Sequence, residues 1–124
     1  MTADKKRILI VEDEADAANS LRDYFQAQGL EVLTASSGEK GLELLNSEKP
    51  ALVLLDMRLQ EGLSGMEVLR RAKQAKNKAE IIVVTAVDDR NVIQLAKGLG
   101  AADYLTKPFK LEDLKRVVLD RLNV

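Results

Sequence analysis

The chain has no cysteine and no histidine among its 124 residues, and aromatic residues make up only 3% of it. The absence of cysteine excludes disulfides, a thiolate metal site and a cysteine nucleophile. Without thiolate or imidazole ligands, any metal must be bound by oxygen, which favours Mg²⁺, with Mn²⁺ and Ca²⁺ as alternatives, over Zn²⁺. Any histidine chemistry must therefore come from a partner molecule.

The sequence also lacks an excess of charge and any long apolar run. Its 19 basic and 20 acidic residues leave a net charge of −1, so no global attraction draws it to nucleic acid or to an anionic membrane. No apolar stretch approaches the roughly 18 residues of a membrane span, and the polar residues 1–7 lack the apolar centre of a signal peptide. We expect a soluble, cytoplasmic protein of one domain, residues 1–124, with about residues 1–6 as a flexible lead.

What the chain does contain is a regular alternation of short apolar runs and segments with helical periodicity. Strands are predicted at residues 8–11, 30–35, 51–55, 81–84 and 103–106. Two helices are predicted at residues 14–28 and 88–99. Two more should follow capping boxes at Ser36/Glu39 and Ser64/Glu67. A fifth is predicted from the apolar positions between Leu111 and Leu122. Because the middle strands are continuously apolar, helices should cover both faces of the sheet. The pattern predicts an α/β fold, a five-stranded doubly wound parallel sheet flanked by five helices.

Four of these strands end in residues suited to a phosphoryl group or a metal ion: Glu12 with Asp13, Asp56, Thr85 and Lys107. Open α/β sheets bind ligands at the carboxyl edge where such residues gather. Each has an ordinary explanation alone, since acids suit helix N-termini and threonine suits strands. Together, however, three acids would raise one another's pKa unless a cation lay among them, and Lys107 supplies only one positive charge.

This charge deficit suits a Mg²⁺ ion held by carboxylate, carbonyl and water oxygens. With the metal bound, Asp56 is a candidate nucleophile toward phosphorus. Lys107 and the Thr85 hydroxyl would then neutralise and hydrogen-bond the oxygens of the transferred group.

The order of these pieces resembles the receiver domain of bacterial two-component response regulators over essentially the whole chain. The resemblance implies a flavodoxin-like sheet with strand order 2-1-3-4-5. The matching segments are Ile8-Leu9-Ile10-Val11-Glu12-Asp13-Glu14, Leu54-Leu55-Asp56-Met57, Val84-Thr85-Ala86 and Gly100-Ala101-Ala102-Asp103-Tyr104-Leu105-Thr106-Lys107-Pro108-Phe109.

The resemblance also implies a role for each residue of the site. Asp56 would accept a phosphoryl group from a phosphohistidine on a partner. Asp13 and Asp56 would bind Mg²⁺ together with the backbone carbonyl of Arg58, and Glu12 would act through a water molecule.

Further residues would recognise the phosphoryl group and respond to it. Thr85 and Lys107 would contact its oxygens, Thr85 and Tyr104 would form the switch, and the Lys107–Pro108 peptide is expected to be cis. The output would be read on the helix at residues 88–99, the strand at 103–106 and the last helix.

The implied protein is a regulatory phospho-acceptor that catalyses its own phosphorylation and dephosphorylation, rather than an enzyme with an outside substrate. Its implied partners are a sensor histidine kinase or phosphotransfer protein and a downstream effector or fused output domain. Neither nucleic acid nor membrane is expected to bind this domain directly. A homodimer formed on phosphorylation stays open.

The loop after Asp56 departs from the family pattern. Gln60 stands where such domains have proline, and residues 61–65 include one residue more than usual. We expect the chemistry to be retained, because the site residues lie outside the insertion, and we expect a more mobile loop without proline's fixed φ. This change is expected to affect the geometry at the start of the following helix and docking to a kinase more than the chemistry. Arg58 and Val87 occupy positions that tune dephosphorylation in similar domains.

Three other functions are compatible with parts of the pattern. A receiver fold that signals without phosphorylation would not need the complete set of acids, threonine and lysine. A flavin-binding module would need a phosphate loop rich in Ser, Thr and Gly, where this chain has Glu12-Asp13-Glu14. An aspartyl-phosphate hydrolase would need a second acid two residues after the nucleophile, where this chain has Arg58.

Overall fold

The computed structural model describes residues 6–124 and contains one parallel sheet with strand order β2-β1-β3-β4-β5. The predicted fold class and strand order are confirmed, whereas residues 1–5 of the predicted flexible lead lie outside the described residues. The strands are β1 Arg7–Val11, β2 Glu31–Ala35, β3 Leu52–Leu55, β4 Glu80–Thr85 and β5 Asp103–Thr106. The helices are α1 Ala15–Ala27, α2 Gly38–Glu48, α3 Gly65–Gln74, α4 Arg90–Gly98 and α5 Leu111–Leu122.

The sheet carries an aliphatic core on each face, as the apolar inner strands predict. Helices α1 and α5 pack on one face, where Phe25, Leu114 and Val118 are fully buried. Helices α2, α3 and α4 pack on the other face through Leu45, Val68 and Ala96. Because both faces are covered, the strand ends are held in fixed positions from which side chains reach the carboxyl edge.

The second helix begins one residue later than the predicted capping box requires. Its N-cap is Ser37 and not Ser36, because the Ser37 hydroxyl accepts the backbone N–H of Lys40 at 3.1 Å. The carboxylate of Glu39 does not complete a box, since it accepts the N–H of Leu63 instead. The prediction of a Ser36/Glu39 box was therefore wrong, because adjacent serines offer two registers and the sequence does not distinguish them.

The third and fourth helices start with side-chain caps. Ser64 is the predicted cap of α3, and its hydroxyl accepts the N–H of Glu67 at 3.1 Å. Helix α4 begins at Arg90, two residues later than predicted, because Asp89 is its N-cap and accepts the N–H of Asn91 at 2.8 Å. In the part of the chain that the structure describes, no helix has both the length and the apolar content for a bilayer crossing.

Candidate functional site

Four strand ends bring their polar residues to one edge of the sheet. The N–H of Asp56 donates to the carbonyl of Val11 at 3.1 Å, and that of Lys107 donates to the carbonyl of Thr85 at 2.8 Å. These bonds extend the sheet by one residue beyond β3 and β5. Among residues 6–124, the buried polar side chains are those of Glu12, Asp56 and Thr85, with exposed fractions of 6%, 7% and 0%.

Lys107 is the cation of this cluster. Its Nζ lies 3.2 Å from Asp56 Oδ2 and 3.7 Å from Glu12 Oε1. The Lys107–Pro108 peptide is cis, as the resemblance led us to expect. One ammonium group thus faces two buried carboxyl groups, which is the charge deficit expected from the sequence.

Asp56 stays ionised despite its burial. Burial alone raises the pKa of this carboxyl group, but several interactions together bring it below its usual value. These are hydrogen bonds with Glu12, with the backbone N–H of Arg58 and with Thr85, and the charge of Lys107. The Arg58 N–H lies 2.9 Å from Asp56 Oδ1. Asp56 is therefore a carboxylate with both oxygens oriented, as a nucleophile requires.

Glu12 is the member of the pair whose pKa is raised. Burial, the hydrogen bond with Asp56 and the negative charge of Asp56 raise the pKa of Glu12 to about 8, against the opposing charge of Lys107. Asp13 adds a smaller increase to the same pKa. The expectation was that the acids raise one another's pKa unless a cation lies among them; the pKa of Asp56 is instead lowered, first by the hydrogen bond with Glu12 and then by the Arg58 N–H, Thr85 and Lys107.

Asp13 lies beside this buried pair and is half-buried. Its Oδ2 accepts the backbone N–H of Gln60 at 2.8 Å, so the loop after β3 orients this carboxylate. Sequence reasoning did not anticipate this contact. The available signal was the replacement of a proline, which has no N–H, by a residue that has one.

The donor set fits a divalent cation bound by oxygen. Across residues 6–124, no three acidic side chains are arranged to hold a metal ion by themselves. The set implied by the resemblance does not need three, because it combines Asp13 and Asp56 with the Arg58 carbonyl and water, as Mg²⁺ sites commonly do. A cation bound here would favour the ionised form of Glu12, whose pKa is raised first by burial and then by the hydrogen bond with Asp56 and its charge.

Tyr104 is linked to the same edge through Val87. The Tyr104 hydroxyl donates to the Val87 carbonyl at 2.6 Å, and the Val87 N–H donates to Thr85 Oγ1 at 3.4 Å. Burial and the charges of nearby acids, Asp88 first, raise the pKa of Tyr104. Thr85 and Tyr104 are therefore connected through one residue, Val87.

A cavity of about 370 Å³ opens beside Glu12, Asp56 and Lys107. Its other walls are mostly apolar and come from α1, the inner strands and the segment after β5, including Ala17, Leu21, Leu54, Val84, Pro108 and Phe109. The cavity therefore brings mostly apolar surface next to Glu12, Asp56 and Lys107.

Comparison with known proteins agrees with this geometry. The family model described as "Response regulator receiver domain" matches residues 8–119. The chain is 34% identical over 113 residues to the sporulation initiation phosphotransferase F of Bacillus subtilis, covering 91% of this chain and 90% of that protein. It is 40% identical over 104 residues to the alkaline phosphatase synthesis transcriptional regulatory protein PhoP of the same organism, covering 84% of this chain and 43% of that regulator.

Solved structures show the same likeness. A response regulator receiver domain protein described as CheY-like, from Methanospirillum hungatei, superposes with a TM-score of 0.92 at 28% identity. The match covers 97% of this chain and 95% of that one.

Proposed function

The chain belongs to the response regulator receiver family of two-component systems, and from this premise we propose that Asp56 is its phosphoryl acceptor. The observation that carries the proposal is the state of Asp56, which is 7% exposed and yet has a pKa below its usual value. A buried carboxylate is costly unless it is paired. Here its partners favour the ionised form beside a cavity, which supports a chemical role.

The proposed reaction transfers a phosphoryl group from a phosphohistidine of a partner. An oxygen of Asp56 forms a bond to phosphorus, the bond from phosphorus to the imidazole nitrogen breaks, and the leaving imidazole keeps the electron pair and takes up a proton. The product is an acyl phosphate on Asp56. This chain has no histidine of its own, which is consistent with a phosphohistidine donor on a sensor histidine kinase or a phosphotransfer protein.

Lys107 and Thr85 would stabilise the phosphoryl oxygens during this transfer. The Lys107 ammonium group already lies 3.2 Å from Asp56. A hydrogen bond between Asp56 and the fully buried Thr85 helps to lower the pKa of Asp56. Fixed donors of this kind act without reorganisation as charge develops. Autodephosphorylation would use the same residues, with water in place of the imidazole, so the domain regulates and has no outside substrate to turn over.

Mg²⁺ would be held by Asp13, Asp56 and the Arg58 carbonyl, with Glu12 acting through water; Mn²⁺ would fit the same oxygens. When bound, the ion supplies two positive charges next to the phosphoryl oxygens. Glu12 would give up its proton as the ion enters, because the dication favours the ionised form.

The signal would be a population shift read on α4, β5 and α5. Tyr104 already has its hydroxyl on the Val87 carbonyl, which supports an inward position that the unmodified chain can adopt. Phosphorylation would favour that arrangement through contacts of Thr85 that exist only in it. The reader would be a downstream effector or a fused output domain, and a homodimer formed on phosphorylation is a further outcome. Cytoplasmic location stays a prediction.

The test is incubation with acetyl phosphate and Mg²⁺, followed by intact-mass measurement. We expect one labile phosphate per chain in the wild type and none in Asp56→Asn. The matched control is Asp16→Asn, an exposed acid in the first turn of α1, which should be phosphorylated normally. Absence of any adduct on the wild type would contradict the proposal and favour a receiver fold that signals without phosphorylation.

A further inference from the structure

The loop between β3 and α3 contacts the proposed metal ligand Asp13 through its own backbone. The Gln60 N–H donates to Asp13 Oδ2 at 2.8 Å. Domains that the chain resembles have proline at this position, and proline has no N–H to donate. The contact is therefore possible because the residue at this position is not proline, and it connects the inserted loop to the end of β1.

The far end of the same loop is tied to the start of α2. The Leu63 N–H donates to Glu39 Oε1 at 3.2 Å. Gly62, at φ +75°, lies so close to the Glu39 carboxylate that a Cβ there would collide with it. Ser64 then caps α3 directly. The loop is thus restrained on both sides of its extra residue, although it lacks the proline.

We propose that the backbone N–H of Gln60 is a positioning group for Asp13, and that this hydrogen bond orients the carboxylate for metal binding. The proposal rests on the proposed function, in which Asp13 binds Mg²⁺. A hydrogen bond from N–H to a carboxylate is shorter and stronger than one between neutral groups. It fixes one oxygen of Asp13 and so restricts the rotation of the whole carboxylate before a metal arrives.

Groups that orient metal ligands raise affinity because the ligand does not have to be ordered on binding. Loss of the loop contact should therefore weaken Mg²⁺ binding. If the contact had only a structural role, its loss would lower the free energy of unfolding and leave Mg²⁺ affinity unchanged. The two roles separate when both quantities are measured on the same variants.

The first experiment compares Gln60→Pro with Gln60→Ala by calorimetric titration of Mg²⁺ alone. Gln60→Pro removes the N–H, and we expect its Mg²⁺ dissociation constant to rise about tenfold, near the lower end for groups that orient metal ligands. Gln60→Ala changes the side chain but keeps the N–H, and it should bind as the wild type does. Equal affinity in Gln60→Pro and the wild type, or an equal loss in both variants, would overturn the proposal.

The second experiment needs no metal and no proline. Amide hydrogen exchange at Gln60 is measured by NMR in metal-free wild type and in Asp13→Ala. We expect faster exchange of the Gln60 amide in Asp13→Ala, while the Leu63 amide, which is bonded to Glu39, keeps its wild-type rate. Unchanged exchange at Gln60 would refute the contact. Failure here leaves the phosphorylation of Asp56 untouched, whereas absence of an acyl phosphate would refute the proposed function and not the contact.

Discussion

The two edges of the sheet hold charge in opposite ways. At the amino edge, Arg7 lies 3.1 Å from Glu31 and 3.4 Å from Glu48, and these three side chains are 35% to 46% exposed. At the carboxyl edge, Glu12 and Asp56 are less than a tenth exposed and share Lys107. Exposed pairs add little to stability, whereas buried and unbalanced acids destabilise a fold. The difference supports the proposed chemical role of the carboxyl edge, for which the exposed pairs of the amino edge offer no counterpart.

The largest effect should follow removal of the cation at the carboxyl edge. In Lys107→Met the transferred oxygens lose their ammonium partner, and we expect phosphorylation by acetyl phosphate to slow by about 100-fold. The rate of mass gain measures this effect. Lys110→Met, at an exposed lysine three residues further on, is the matched control and should keep the wild-type rate. A Lys107→Met variant as fast as this control would show that the ammonium group takes no part.

A smaller effect, a gain in folding stability, should follow neutralisation of Glu12. Its pKa is raised from 4.5 to about 8 in the fold, so the unfolded chain releases this proton first and folding stability falls as pH rises from about 4.5 to 8. Glu12→Gln should therefore stabilise the metal-free domain by about 2 kcal/mol at pH 8.5 and by almost nothing at pH 4. Urea unfolding in the presence of EDTA measures both values.

The control for Glu12→Gln is Glu14→Gln, an exposed acid at the same edge, which removes one negative charge without relieving burial. A gain for Glu12→Gln that is the same at both pH values, or shared by Glu14→Gln, would contradict the explanation by a raised pKa.

The smallest effect should come from the amino edge. Arg7→Met keeps the aliphatic stem of the side chain and removes its ion pairs with Glu31 and Glu48. Because these pairs are exposed, we expect a loss of less than about 1 kcal/mol and no change in phosphorylation rate. Urea unfolding at pH 7 checks the first expectation. A loss larger than the gain from Glu12→Gln would mean that the two edges do not differ as described.

Most of the fold follows from local patterns in the sequence. The apolar run at Leu52–Leu55, followed by Asp56, predicts β3, and Gly100 predicts the end of α4. The start of α2 was predicted wrongly at Ser36, because either of two adjacent serines can cap a helix and the structure has Ser37 as the cap. Local pattern thus specifies which elements form and leaves their ends uncertain by one or two residues.

The sequence predicted which residues form the site, but it predicted their pKa values less well. Strand ends in a parallel sheet bring Glu12, Asp56 and Lys107 together, and this follows from the sequence. The lowered pKa of Asp56 does not follow, because it depends on its hydrogen bonds with Glu12 and with the backbone N–H of Arg58. The Gln60 contact with Asp13 likewise involves a backbone group, which side-chain patterns do not report.

The most direct test of the account is a calorimetric titration of Mg²⁺ into the wild-type domain at pH 6.5, repeated in two buffers with different heats of ionisation. We expect one saturable site per chain and about one proton released, since the pKa of Glu12 is about 8 in the metal-free site, with the release vanishing in Glu12→Gln. No saturable uptake at millimolar Mg²⁺, or uptake without proton release, would contradict the claim that a dication balances the acids of the carboxyl edge.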